Sequence, residues 1–257
     1  MNSREEQLKA FDRLLTIMDE LREECPWDRK QTMESLRPLT IEETYELGDA
    51  ILDKDIEEVR KELGDLLLHL VFYAKIGSES NDFDIADVAN GICEKLISRH
   101  PHIYGDVKIE NEEDVKKNWE NLKLNEGKKS VLEGVPGSLP ALVKASRIQD
   151  KVAGVGFDWE EPQQVFEKLE EELHELQEEV NIADKDKMEA EFGDVMFSMI
   201  NYARFLKINP ENALERTNKK FIARFKYLEQ KAAEKNIALK DMTLAEMDVY
   251  WNEAKKL

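Results

Sequence analysis

Glu43 and Glu46, and again Glu62 and Asp65, are carboxylate pairs three residues apart, the spacing that puts two side chains on one face of an α-helix. Between the pairs runs Ile51-Leu52-Asp53-Lys54-Asp55-Ile56, a polar break suited to a tight turn between antiparallel helices. Lys54 is its midpoint: Glu46 and Glu62 each lie eight residues away, Glu43 and Asp65 eleven. At a rise of about 1.5 Å per residue, the members of each pair then sit at equal heights on facing helices, and four carboxylates converge. Unneutralised they would repel one another, so the arrangement calls for cations. An all-oxygen donor set favours hard ions, Mg²⁺ with Mn²⁺ as a substitute. Because Mg²⁺ commonly takes only one or two protein carboxylates and completes its shell with water and phosphate, four converging carboxylates predict two or more ions bridging a polyphosphate.

The chain carries this motif twice. Glu42, Glu43, Glu46, Glu62 and Asp65 recur as Glu171, Glu172, Glu175, Glu191 and Asp194, each 129 residues later, and Gly64/Gly193, Tyr73/Tyr202 and Ala74/Ala203 keep the offset. The midpoint of the second copy is Ala183. The two mid-helix glycines predict close approach of another group, since glycine there costs about 1 kcal/mol against alanine. Lys95 to Arg99 matches Lys220 to Arg224, and Trp119 with Lys123 matches Trp251 with Lys255. Lys220 and Arg224, four apart, present two cations on one helical face to polyphosphate oxygens, and an indole such as Trp251 can stack on a base. The copies differ at Lys168, replaced by Leu39 in the first, and at Lys187, replaced by Glu58. An apolar residue and an acid cannot offset phosphate charge.

At these residues the chain resembles the MazG family of nucleoside triphosphate pyrophosphohydrolases, whose motif is E-E-x-x-E followed by E-x-x-D. The likeness runs through Cys25-Pro26-Trp27-Asp28, Glu42 to Glu46, Glu62 to Asp65, Arg99 to His102, Gly154 to Trp159, Lys220 to Phe225, and Trp251. It implies an all-α fold of tandem MazG-type helical domains with four-helix-bundle cores, usually a homodimer. The implied activity is Mg²⁺-dependent hydrolysis of NTPs or dNTPs to NMP and pyrophosphate, in nucleotide-pool house-cleaning or stress-related nucleotide control. In that family the carboxyl-terminal domain can bind ATP through a lysine at the Lys168 position, which places the main catalytic site in the second copy. Glu172, Glu175, Glu191 and Asp194 are then the metal ligands, with Lys168, Lys187, Lys220, Arg224 and Trp251 on the substrate. Glu171, beside the cluster, would orient or deprotonate the attacking water. Glu43, Glu46, Glu62 and Asp65 keep a full metal set in the first copy.

The elements that must hold these residues are helices. Apolar residues at Leu8, Phe11, Leu14, Leu15, Met18 and Leu21 mark a first helix. Others are expected near 40–53, 55–78, 84–99 and 112–124, then 139–152, 162–181, 185–207, 210–233 and 243–256. The domains expected are 1–126 and 139–257 with a linker at 127–138, and two such hairpins can close a four-helix bundle within the chain or across a dimer. A net charge of −19 argues against nucleic acid or an anionic membrane as partner. No run approaches a membrane span and the amino-terminal segment is charged rather than a signal peptide, so a cytoplasmic location is expected. Cys25 and Cys93 have neither metal-ligand nor disulfide-framework spacing.

Other chemistries fit less well. Glu171 and His174 have the spacing of a di-iron ligand pair, but the first copy has Tyr45 in place of the histidine. There is no P-loop. A narrower dUTP- or dCTP-type pyrophosphatase and a non-catalytic helical module with a solvated acidic face are the alternatives.

Overall fold

The computed structural model describes residues 1–105, 107 and 130–256. Among them are ten α-helices and no strand, so the protein is all-α. It divides into two compact units, Met1–Glu110 and Asn111–Leu257. The helix expected near 112–124, with Trp119 and Lys123, lies outside the described residues, as do 127–129 of the expected linker. The described part of that linker, from residue 130, is turn and bend.

Unit 1 contains α1 (Arg4–Glu24), α2 (Met33–Asp53), α3 (Ile56–Glu79), α4 (Ile85–Arg99) and the short α5 (Pro101–Tyr104). The α2–α3 hairpin is its centre, with α1 and α4 packed on α3. α2 begins seven residues before the sequence suggested, because a capping box between Thr32 and Ser35 starts the helix, and Pro38 sits inside it rather than ahead of it. His100 caps α4 and Pro101 opens α5, so the His100-Pro101-His102 stretch joins two helices. The core is Met18, Leu36, Val71 and Phe72, with Phe11, Leu14, Leu15, Leu39 and Leu68 packed against it.

Unit 2 repeats the hairpin as α7 (Pro162–Ile182) and α8 (Lys185–Phe205), preceded by α6 (Ala141–Ala153) and followed by α9 (Pro210–Glu234) and α10 (Leu244–Ala254). α6 and α9 pack on α8 and on each other. Both hairpins turn at the predicted midpoint. Lys54 and Ala183 are left-handed at φ 58° and 63° and close the preceding helix with backbone hydrogen bonds, after which Asp55 and Asp184 cap the next one through their side chains.

One expectation is overturned. A Cβ placed on Gly64 or Gly193 would meet nothing within 4 Å, so neither glycine marks a close approach within its unit. Each instead lies on an exposed part of its helix beside an apolar stripe: Leu63, Leu67 and Leu70 on α3, and at the matching positions Phe192, Met196 and Met199 on α8.

Candidate active site

Of the four carboxylates expected to converge in each copy, the hairpins group three. Oxygens of Glu43, Glu46 and Glu62 lie within 4.8 Å of one another, and so do those of Glu172, Glu175 and Glu191. Neighbouring oxygens around an octahedral Mg²⁺ would stand about 3.0 Å apart and opposite ones about 4.2 Å, given metal–oxygen distances of about 2.1 Å. A small side-chain adjustment therefore suffices for either trio, and the hard oxygen donors suit such an ion. Glu62 adds an Oε2 that is buried without a partner. Asp194 stands beside its trio, lining a cavity of about 200 Å³ with Lys168, Glu172, Ser198 and Asn201.

The electrostatics carry the strain of clustered charge. Burial, then the charges of Glu172 and Glu191, raise the Glu175 carboxyl above its ordinary value. Glu46 is raised by burial and by Glu62, and Glu43 by burial and by the adjacent Glu62 carboxyl. In each copy a lysine stands against the most buried carboxylate. The Lys168 ammonium lies 2.9 Å from both Glu171 and Glu172, and Lys61 lies 2.7 Å from Glu58 and 3.1 Å from Glu62. Both lysines are held protonated by those contacts.

Leu39 and Glu58, which occupy the positions of Lys168 and Lys187, cannot offset phosphate charge, but in the first copy Lys61 supplies a cation from the position of Ala190. Its only signal in the sequence was its spacing to Glu58, common on any exposed helix. The buried carboxylate has also changed helices, being Glu62 on α3 in one copy and Glu172 on α7 in the other.

The remaining expected residues are distributed unevenly. Lys187 pairs with Glu179 at 3.6 Å rather than with a member of the trio. Glu171 is engaged by Lys168 at the trio's edge. Lys220 and Arg224 lie on α9, where the Arg224 guanidinium sits 5.8 Å from the Trp251 ring and Phe221 packs on the same indole at 4.9 Å. Among the described residues no ion pair joins Lys220 or Arg224 to the trio.

Sequence reasoning missed the space next to the site. A cavity of about 440 Å³ is lined by Gln149, Phe157, Trp159, Phe197, Asn201 and Arg204 among others. It shares Trp159, Phe197 and Asn201 with the smaller cavity that holds Lys168, Glu172 and Asp194. The loop carrying Phe157 and Trp159 leaves α6 through Gly156 at φ +88°, a conformation that favours glycine. Asp158 anchors the loop to Arg204, which also donates to Asn201 Oδ1 at 2.8 and 3.1 Å.

The sequence profile of the MazG nucleotide pyrophosphohydrolase domain matches residues 31–104 and 160–228, spanning both sets of carboxylates, Lys168, Lys220 and Arg224 but stopping before Trp251. The chain is 45% identical over 250 residues to the nucleoside triphosphate pyrophosphohydrolase/pyrophosphatase MazG of Thermotoga maritima, covering 95% of each chain. It is 40% identical to the nucleoside triphosphate pyrophosphohydrolase of Escherichia coli K12, covering 97% of this chain and 98% of that one. An uncharacterised Bacillus subtilis protein, YabN, is 47% identical over 96% of this chain and 52% of its own length. With the profile falling once on each carboxylate hairpin and the Thermotoga maritima and Escherichia coli relatives matched over at least 95% of both chains, the chain belongs to the MazG family of nucleotide pyrophosphohydrolases.

Proposed function

We infer that the protein is a nucleoside triphosphate pyrophosphohydrolase, releasing NMP and pyrophosphate, with its main site in the second copy. The observation that carries the site assignment is the junction in unit 2, where the Glu172–Glu175–Glu191 trio, Asp194 and Lys168 adjoin an aromatic-walled cavity. Family membership and the names of the collinear relatives support the activity.

Glu172, Glu175, Glu191 and Asp194 would hold Mg²⁺, or Mn²⁺ in its place. When bound, the metal supplies charge neutralisation of the triphosphate and acidifies water. The chain's own residues do the rest. Lys168 leaves Glu171 and Glu172 for a phosphate oxygen, a contact made stronger by its charge. Glu171, released by the same movement, orients the attacking water and takes its proton. Lys220 and Arg224 are proposed to approach the phosphates from α9, with Trp251 beside them as a further substrate contact. Lys187 would have to leave Glu179 to join them.

The bare stripes on α3 and α8 support a homodimer, each copy laying its hairpin against another hairpin to complete a four-helix bundle. Light scattering after gel filtration tests this, with a monomer speaking against it.

The deciding measurement is product analysis across NTPs and dNTPs. NMP and pyrophosphate should form with Mg²⁺ or Mn²⁺ and cease in EDTA. Orthophosphate with NDP would overturn the cleavage position, and full activity in EDTA the role of the carboxylates.

A further inference from the structure

Gln149 is a polar side chain buried where the core of a helical unit should be apolar. It is 3% exposed, and it lines the 440 Å³ cavity together with Phe157, Trp159 and Phe197. Its Nε2 donates to the Phe197 carbonyl at 2.8 Å, and this bond fixes the amide's orientation, since the flipped form would set oxygen against oxygen. Oε1 is thereby left buried without a partner. A buried acceptor without a donor costs about 1–3 kcal/mol, so a group that enters the cavity and donates to it gains by that amount.

The surroundings say what that donor belongs to. The walls are aromatic, suited to the faces of a planar ring, and the volume falls within the range of about 300–1,000 Å³ typical of small-molecule pockets. Asn201 has its Oδ1 occupied by Arg204, which leaves its NH₂ as the end able to donate. The Phe197 carbonyl beside Gln149 adds a second oxygen, so a ring edge flanked by carbonyls, as in uracil, brings oxygen towards oxygen, whereas an amino group brings hydrogen. Among the described residues of the first copy, the matching wedge is filled. At the positions of Val165, Lys168, Phe197 and Asn201 it has Leu36, Leu39, Leu68 and Phe72, all part of a packed core that Met18 completes. The cavity is a property of the second copy and not of the fold.

We propose that this cavity receives the nucleobase of the substrate and that Gln149 Oε1 accepts a hydrogen bond from an exocyclic amino group, so that adenine and cytosine nucleotides are favoured over uracil ones. This rests on the pyrophosphohydrolase reading above, and it assigns specificity to Gln149, Trp159 and Asn201.

The test pairs ligands that differ only in the amine: ATP with purine riboside triphosphate, and CTP with pyrimidin-2-one riboside triphosphate. For the full-length protein with Mg²⁺, kcat and KM are measured by pyrophosphate release, and Kd by calorimetry with the α,β-methylene forms, which needs no turnover. The wild type should lose about tenfold in KM and Kd within at least one pair, with kcat changed less than twofold. Gln149→Leu should abolish that difference, as a ligand–protein double-mutant cycle requires. Trp159→Ala, at a partly exposed position that threatens the fold little, should weaken all four ligands while keeping the ratio within each pair. Equal affinities within both pairs for the wild type, a difference that survives in Gln149→Leu, or tighter binding of UTP than of ATP and CTP would each overturn the proposal. Pyrophosphate release that is normal in the wild type but blind to these changes sinks the base site alone. No release from any nucleotide sinks the pyrophosphohydrolase reading, while the calorimetry still reports on the cavity.

Discussion

Unit 1 and unit 2 hold the same carboxylate hairpin, and they differ in what fills the wedge beside it. In unit 1 Leu36, Leu39, Leu68 and Phe72 meet Met18 of the preceding helix, and Phe72 is 2% exposed. In unit 2 the matching residues Val165, Lys168, Phe197 and Asn201 border open space, and the preceding helix contributes Gln149. A packed wedge stabilises, at about 25 cal/mol per Å² of apolar surface removed from water, while a hollow one leaves room for a ligand next to the metal carboxylates. The metal-binding half of the motif is thus compatible with either choice. Four positions on two helices decide between them.

Substitutions can break that comparison. The largest effect belongs to the carboxylates: Glu175→Ala or Glu191→Ala should lower pyrophosphate release by about a hundredfold or more, the scale expected for losing a metal-held transition state. Glu46→Ala or Glu62→Ala should leave most of it. Circular dichroism must show all four variants helical, and inactive first-copy variants would reverse the assignment of the two units.

Next comes the wedge itself. Phe72→Ala should cost unit 1 about 3–5 kcal/mol, the usual range for a buried aromatic, whereas Asn201→Ala should cost unit 2 about 1 kcal/mol or less. Urea titration read by circular dichroism compares them. Equal losses would mean that unit 2 is as tightly packed as unit 1 and that its cavity is no functional space.

The smallest effect concerns how each unit ties its preceding segment to the hairpin. In unit 1 Arg22 of α1 clasps Glu79 at the end of α3, and the Arg22 guanidinium holds the Glu79 carboxyl below its ordinary value of 4.5. A depressed carboxylate stabilises the fold above the unfolded-state value and loses that contribution as pH falls through the lower folded-state one. Glu79→Gln should therefore lower the Tm of unit 1 modestly at neutral pH, since Glu79 is partly exposed. The gap between wild type and variant should close as pH drops below 4.5. A gap that persists in acid would assign the effect to packing.

How far the sequence foretold all this depends on whether the relevant residues are close along the chain. The carboxylates are, through the helical period and a turn of fixed length, so their convergence could be derived from spacing alone. The cavity is not: Gln149, Trp159 and Asn201 come from three segments that only packing joins, and a glutamine amid Ile148 and Val152 carries no periodic signal. Leu39 looked like a missing lysine and proved to be a core residue. Gly64 and Gly193 were legible as a duplicated oddity, but their neighbours in space could not be read from neighbours in sequence.

The left-handed turns at Lys54 and Ala183 reach past local geometry. Exposed loop tips ordinarily tolerate added residues, and these two bear no catalytic atom. Yet one residue inserted at Ala183 would advance every position of α8 by about 1.5 Å along its axis and about 100° around it, swinging Glu191 and Asp194 off the face that meets Glu172 and Glu175. The turn's length is thus part of the active site's specification, and insertions accepted in the loop between Leu206 and Asn209 should be refused here.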